Sequence, residues 1–153
     1  MPHRYLALAP AVALAFVACS GAGSTASPTS SAPSPSGPAG AAVQRIEVKL
    51  NDSLKMDPAE MMVKAGQPVT FVVMNSGAID HEFYLGDEGM QAQQEQMMQS
   101  GQMAHDTAEG ISLKPGESKE LTYTFPAVGQ FTAGCHVTGH YAAGMKAMIT
   151  VTP

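Results

Sequence analysis

Basic residues are scarce in this chain of 153 residues, and some common functional motifs are missing from it. Lysine and arginine together number 8 against 13 acidic residues, which gives a formal net charge of −5. A chain without a basic excess is not expected to bind nucleic acid. The sequence also lacks a glycine-rich phosphate loop and a Gly-x-Ser-x-Gly elbow, which are signatures of many nucleotide-binding proteins and hydrolases.

The N-terminal residues have the pattern of an export signal. Arg4 precedes an apolar run over residues 5–18, which has the length of a signal-peptide core and is too short to span a bilayer. The run ends in Ala18-Cys19-Ser20-Gly21, which resembles the lipobox of bacterial lipoproteins, although Phe16 stands where Leu is usual. The resemblance implies that Cys19 is lipidated and becomes the mature N-terminus. The alternative is ordinary secretion, in which Cys19 has no role.

Composition divides the chain into three parts. Residues 1–18 are the predicted signal peptide, and residues 43–153 are the predicted folded domain. Between them, residues 19–42 hold Cys19 and a stretch of Ser, Thr, Pro, Gly and Ala with nothing large and apolar to bury, so they predict a disordered tether. We expect the domain to be anchored by this lipid to the outer face of a bacterial cytoplasmic membrane.

Only two cysteines are present, and export makes their number informative. If Cys19 carries lipid, Cys135 is the one thiol of the mature domain. Exported domains normally use cysteines in disulfide pairs, so a lone cysteine indicates a metal ligand, a reactive thiol or an intermolecular partner.

The folded part predicts an all-β protein with one helical insertion. Short β-branched and aromatic segments, several of them alternating, are separated by Gly and Pro turns, as is typical of an antiparallel β-sandwich. Residues 87–105 break this pattern, because they are rich in Gln and Met and predict a helix. The predicted strands cover residues 45–50, 61–64, 68–74, 81–85, 118–125, 130–134 and 146–151.

One loop near the C-terminus carries three potential metal ligands at a regular spacing. Cys135, His140 and Met145 are five residues apart, and Gly139 and Gly144 directly precede the last two. A thiolate, an imidazole and a weak thioether are ligands of a blue copper centre, which needs one further imidazole. The glycines can adopt the bends that turn the following side chains inward.

His81 is the best candidate for the second imidazole, because it follows the central apolar strand and starts a new one. His3 lies in the predicted signal peptide, and His105 lies in the insertion. His136 adjoins Cys135, and successive side chains on a strand face opposite ways, so both cannot easily bind one metal.

With these residues, the domain resembles the cupredoxins, the blue copper proteins that include plastocyanin, azurin and rusticyanin. The resemblance rests on Asp80-His81-Glu82-Phe83, on residues 131–135, on Gly139-His140-Tyr141 and on Gly144-Met145. It implies a Greek-key sandwich that holds one type 1 copper. It also implies that His81, Cys135 and His140 are equatorial ligands and that Met145 is the axial ligand.

The insertion offers two interpretations. Its Met90, Met97, Met98, Met103 and His105 could form a second site for Cu(I), since thioethers suit the reduced ion. Alternatively, the methionines form an apolar stripe that packs the helix against the sandwich.

The function that these features predict is a single-copper electron carrier of the cell envelope, monomeric and without enzymatic activity. One loop cysteine is too few for a binuclear purple copper site, and the chain is too small for a multicopper oxidase or a copper nitrite reductase. The partner would be an envelope redox protein. The alternative is copper handling, meaning resistance, storage or delivery to a client protein, and a metal-free adhesion-like sandwich is a third reading.

Overall fold

A computed structural model describes residues 43–153, which form a β-sandwich of nine strands with one helix. The predicted signal peptide, the tether, Cys19 and His3 lie outside the described residues. None of the helices in the described part of the chain has the length and apolar character needed to cross a membrane.

The first sheet has four strands in the order β2-β1-β4-β7. Its alternating strand β1 buries Val48 and Leu50 and exposes the lysine between them, as the period of two requires. The central strand β4 lies between β1 and β7 and buries Val69, Phe71 and Val73. The bounds are β1 Gln44–Asn51, β2 Lys55–Asp57, β4 Pro68–Asn75 and β7 Ser118–Thr124.

The second sheet has five strands in the order β3-β9-β8-β5-β6 and positions the candidate metal ligands. β5 pairs antiparallel with β8, and β8 pairs antiparallel with β9. The start of β5, the end of β8 and the start of β9 therefore lie at one end of the sheet. The bounds are β3 Glu60–Lys64, β5 His81–Gly86, β6 Gly110–Leu113, β8 Gly129–Gly134 and β9 Lys146–Thr152.

The sandwich is confirmed, but its sheets are mixed and not purely antiparallel. β1 pairs parallel with β4, and β3 pairs parallel with β9. The reason is the path of the chain, which leaves the first sheet after β2, adds β3 to the second sheet and returns as β4 beside β1. Alternation of apolar residues reports which face is buried and carries no information on strand direction.

The core between the sheets is built from inward-facing side chains of both. Phe71 from β4 packs on Phe83 from β5, with ring centroids 5.3 Å apart, and on Phe125 at 6.5 Å. All three rings are fully buried. This aromatic cluster fixes the two sheets against each other directly behind the strand that begins with His81.

The predicted helical insertion is present but shorter than residues 87–105. Helix α1 spans Glu88–Gln99, with Asp87 as its N-cap accepting a hydrogen bond from the Met90 N–H. Its C-cap is Ser100, and the next residue, Gly101, adopts a positive φ of 87°, which ends the helix. The helix packs against β5 and β8 of the second sheet.

Candidate metal centre

The structure brings His81, Cys135 and His140 together in one buried cluster. His81 is the first residue of β5, Cys135 directly follows β8, and His140 lies in the loop between β8 and β9. One ligand atom from each lies within 4.8 Å of the other two. Cys135 is fully buried, His81 is 1% exposed and His140 is 8% exposed.

The loop from Cys135 to Met145 is held by its own backbone. Met145 N–H donates to the carbonyl of His140 at 3.0 Å, and Cys135 N–H donates to the carbonyl of Met145 at 3.1 Å. Gly139 and Gly144 have φ values of 84° and 91°, which favour glycine. A Cβ at either glycine would meet nothing within 4 Å, so the requirement is conformational and not one of space.

The distances within the cluster fit a three-ligand metal site. Cys135 Sγ lies 3.3 Å from His140 Nδ1 and 3.8 Å from His81 Nδ1. A first-row metal at about 2.3 Å from sulfur and about 2.0 Å from nitrogen, with trigonal angles, separates its ligand atoms by roughly 3.7 Å. The donor set of one thiolate and two Nδ1 atoms therefore needs little rearrangement to bind copper.

Burial favours the neutral forms of two of the clustered side chains, Cys135 and His140. Burial raises the pKa of the Cys135 thiol to about 11, although the backbone N–H groups of Glu82 and Val137 act in the opposite direction. The Glu82 N–H lies 3.3 Å from the sulfur. Burial, and then the neighbouring His81, lower the pKa of His140, which keeps its ring neutral at pH 7 and available as a ligand. A bound cation would displace the thiol proton.

The Nε2 side of the His81 ring faces Asp52, in the turn between β1 and β2 of the first sheet. His81 Nε2 lies 3.4 Å from Asp52 Oδ1, within ion-pair distance, but it has no hydrogen-bond partner among the described residues. Asp52 itself accepts a hydrogen bond from Ala78 N–H at 2.7 Å, the first cause of its lowered pKa. A Cβ on Gly77 would lie 1.9 Å from Asp52 Oδ1, so this close approach needs glycine. The arrangement leaves Nδ1 of His81 as the nitrogen that faces the sulfur.

Met145 is fully buried at the same end of the sandwich. Its backbone bonds to Cys135 and His140 place it beside the cluster. Its role as an axial ligand stays a prediction.

His136, which the alternation of a strand excludes from the ligand set, faces away from the cluster. It lies in a polar network that the sequence did not predict. Its Nδ1 lies 2.7 Å from Glu95 Oε2, and its Nε2 lies 2.7 Å from Gln91 Oε1. Glu82, also buried, accepts hydrogen bonds from Gln94 Nε2 at 2.7 Å and from the His136 N–H at 3.1 Å. The available signal was the i, i+3, i+4 spacing of Gln91, Gln94 and Glu95, which places them on one helical face.

The methionines of the insertion do not form its buried face. The buried residues of α1 are Gln91 and Gln94, whereas Met90, Met97 and Met98 are half-buried. Met103 is 80% exposed, and His105 is also exposed.

Two of these methionines nevertheless share a cavity with a candidate ligand. A cavity of about 590 Å³ is lined by Met98, Met103 and His81, with Val137 and Thr138 of the ligand loop on its wall. Of the five residues proposed for a Cu(I) site, Met98 and Met103 are the two that line it.

Comparisons with known proteins agree with this geometry. Residues 42–152 match the model of copper-binding proteins of the plastocyanin/azurin family. The copper-resistant cuproprotein CopI of Pseudomonas aeruginosa is 34% identical over 142 residues, covering 73% of this chain and 78% of the relative. Auracyanin-A of Chloroflexus aurantiacus is 31% identical over 149 residues, covering 89% of this chain and 88% of the relative.

Solved structures give the same fold. The reduced auracyanin of Roseiflexus castenholzii superimposes with a TM-score of 0.64 at 29% identity, covering 72% of this chain and 98% of that one. An azurin of Methylomonas sp. strain J superimposes with a TM-score of 0.60, covering 73% of this chain and all of that one, and at 14% identity it supports the fold alone. The predicted cupredoxin resemblance is confirmed, and the chain belongs to the plastocyanin/azurin family of copper-binding proteins.

Proposed function

We propose that this protein is a single-copper electron carrier with a type 1 site formed by His81, Cys135, His140 and Met145. The observation that carries the proposal is the convergence of one sulfur and two Nδ1 atoms in a buried cluster. Copper bound by this set would supply a one-electron couple between Cu(I) and Cu(II). The similarity to auracyanin A, a blue copper protein, supports this choice.

The backbone hydrogen bonds that hold the ligand loop favour electron transfer. The ligands sit on strand ends and on a loop closed by backbone hydrogen bonds, and the Glu82 N–H already faces the sulfur. A site that is formed before the metal arrives requires little movement when the charge on the metal changes by one.

The surface around His140 suits the docking of a redox partner. His140 is the most exposed of the three clustered residues, although it is 92% covered. The next residues, Tyr141, Ala142 and Ala143, are half-buried or exposed and carry no charge. An envelope redox protein would dock on this patch and exchange electrons through the His140 ring. We propose that the protein does this as a monomer without enzymatic activity, anchored at the outer face of the cytoplasmic membrane by lipid on Cys19.

Absorption spectroscopy with a matched substitution tests the blue site. The Cu(II) form should show the intense sulfur-to-copper band of a blue centre, and Cys135→Ser should remove it. Ascorbate should bleach the band and ferricyanide should restore it over repeated cycles. A Cu(II) protein without the band, or a Cys135→Ser variant that keeps it, would contradict the assignment.

Copper handling is the second candidate function, and a separate observation favours it. Met98 and Met103 offer two thioethers, a donor type that suits Cu(I), in the cavity that reaches His81. The similarity to CopI, named for copper resistance, agrees with this role. Here copper would be the cargo, and the clustered site would be its store or its point of delivery.

The stoichiometry of Cu(I) binding separates the two functions. Copper handling predicts more than one Cu(I) per chain, and replacement of Met97, Met98 and Met103 by leucine should reduce the number to one. One Cu(I) per chain before and after these substitutions would argue against handling through the insertion.

A further inference from the structure

The fully or largely buried side chains of helix α1 are polar, and two of its hydrogen-bond partners, Glu82 and His136, directly adjoin a candidate ligand in sequence. Gln91, Gln94 and Glu95 share one face of the helix, and the first two are almost completely buried. Burying polar side chains costs free energy unless each is hydrogen-bonded, so apolar residues would be the simpler way to dock a helix. The polar face therefore calls for an explanation beyond packing.

The first polar contact of the helix with the sandwich is with Glu82. Gln94 Nε2 donates to Glu82 Oε1 at 2.7 Å, while the other carboxylate oxygen accepts from the His136 N–H at 3.1 Å. The backbone N–H of the same Glu82 faces Cys135 Sγ at 3.3 Å. One glutamate thus bridges the strand that begins with His81 to the segment that carries Cys135, and Gln94 fixes its carboxylate.

The second polar contact of the helix with the sandwich is with His136. Its ring lies between Gln91 Oε1 and Glu95 Oε2, each at 2.7 Å from a ring nitrogen. The ring of Tyr141, the residue after His140, stacks on the His136 ring with centroids 4.4 Å apart.

The contact with His136 requires glycine at position 134. A Cβ on Gly134 would lie 2.5 Å from Gln91 Oε1 and 2.8 Å from the Tyr141 ring. Gln91 also donates to the carbonyl of Thr132 at 2.8 Å, so its amide is fixed at both ends. The strand that leads to Cys135 is therefore shaped to admit this helix.

We infer that α1 is a clamp on the candidate copper site, and that Gln94 is a positioning residue that acts on the Cys135 sulfur through Glu82. The inference rests on the proposed site, since it assigns the helix a role in shaping it. The role inferred for the helix rests on its glutamines and does not depend on its methionines. Loss of the Gln94 donor should free the Glu82 carboxylate, loosen the His136 amide and alter the surroundings of the sulfur.

The first test uses the metal-free protein, so that it does not depend on copper binding. Gln94→Leu should increase the rate of Cys135 alkylation by iodoacetamide about tenfold, the factor expected for one lost buried hydrogen bond. Gln93→Leu places the same substitution on an exposed position of the same helix and should leave the rate unchanged.

A second control separates the clamp from general instability. Val63→Ala removes core packing on β3, away from the helix, and lowers stability without touching the network. If alkylation proceeds only through global unfolding, Gln94→Leu and Val63→Ala will accelerate it equally once compared at the same fraction unfolded, and the inference is then wrong. If Gln94→Leu does not fold, Gln94→Asn replaces it, because it keeps the amide on a side chain that is one methylene shorter. Gln94→Asn should then be alkylated faster than Val63→Ala at the same fraction unfolded.

The copper-loaded protein provides the readout that a merely structural role would not move. Gln94→Leu should shift the sulfur-to-copper absorption and the reduction potential, while Gln93→Leu and Val63→Ala should leave both at their wild-type values. A Gln94→Leu protein with a lower Tm but an unchanged spectrum and potential would overturn the inference. If no variant binds copper in the blue form, the proposed function fails, and the alkylation experiment still decides whether the helix holds the sulfur.

Discussion

Copper-dependent thermal stability gives the sharpest test of where the metal binds. We expect Cys135→Ser to abolish most of the rise in Tm that copper produces, while the metal-free variant stays folded. The substitution exchanges sulfur for oxygen at a fully buried position whose neighbours are the Glu82 N–H and two imidazole nitrogens. A hydroxyl can accept and donate hydrogen bonds there, but it is a poor ligand for copper in place of a thiolate.

The size of the effect follows from ligand linkage. A ligand that binds only the folded state stabilises it by about 2.7 kcal/mol when its free concentration is about 100 times its Kd. For a domain of roughly 110 residues, one kcal/mol changes Tm by about 3–6 °C. Copper should therefore raise the Tm of the wild type by about 8–16 °C under these conditions. The sulfur-to-oxygen exchange should lower the metal-free Tm by only about 3–10 °C, since it changes little volume.

The measurement is a thermal melt followed by circular dichroism, with and without buffered copper, for the wild type and the variant. His105→Ala serves as the control, because His105 is exposed and its Nδ1 lies 3.2 Å from the backbone carbonyl oxygen of Met103. The control should keep the full copper-induced shift. If Cys135→Ser retains the shift while His105→Ala loses it, copper binds at the insertion and the assignment to the sandwich end is refuted.

Three further outcomes follow from the structure. Met145→Leu conserves volume in the core, so it should lower the free energy of unfolding of the metal-free protein by less than about 1.5 kcal/mol. It should raise the reduction potential of the bound copper, and an unchanged potential in a redox titration would contradict an axial role. The Ser112 N–H and then Lys119 lower the pKa of Asp106. The ionised Asp106 carboxylate therefore stabilises the folded state above its unfolded pKa, and this stabilisation is lost as pH falls through its folded pKa. The carboxylate is half exposed, so urea melts should show Asp106→Asn destabilising by at most about 1 kcal/mol at pH 6 and by less at pH 3; an equal loss at both pH values would count against this linkage. Phe71→Ala, at the centre of the aromatic cluster, should cost about 3–5 kcal/mol in the same melts, and a loss below about 1 kcal/mol would mean that the cluster does not hold the sheets together.

The cluster could be predicted from the sequence because most of its residues are close together in the chain. Cys135, His140 and Met145 lie within one loop, and the glycines before the last two report the bends that the structure confirms as positive φ values. His81 could be added because it begins a strand, and strand ends in a sandwich lie at one of two edges. The ligand roles themselves remain predictions, since the structure establishes proximity and burial.

Features that depend on non-local pairing were not predicted. The short strands β2 and β6 were missed, because three or four residues are too few for alternation to be recognised. The two parallel pairings were missed because they follow from the order in which the chain visits the two sheets. The network around Glu82 and His136 was missed because its partners come from a helix that is distant in sequence from Cys135.

The insertion, residues 87–105, nevertheless links the two candidate functions, because two groups of its residues approach the site in different ways. Gln94 reaches Glu82 and, through it, the sulfur of Cys135, while Met98 lines the cavity that opens on His81. Substitutions in the two groups should therefore have separable effects. Gln94→Leu should alter the absorption and potential of bound copper without changing the number of copper ions bound. Met98→Leu with Met103→Leu should lower the rate of Cu(I) uptake or the number bound without changing the spectrum. If both sets of substitutions change the spectrum equally, the helix acts as one structural unit, and the distinction between a clamp and a copper-handling surface does not hold.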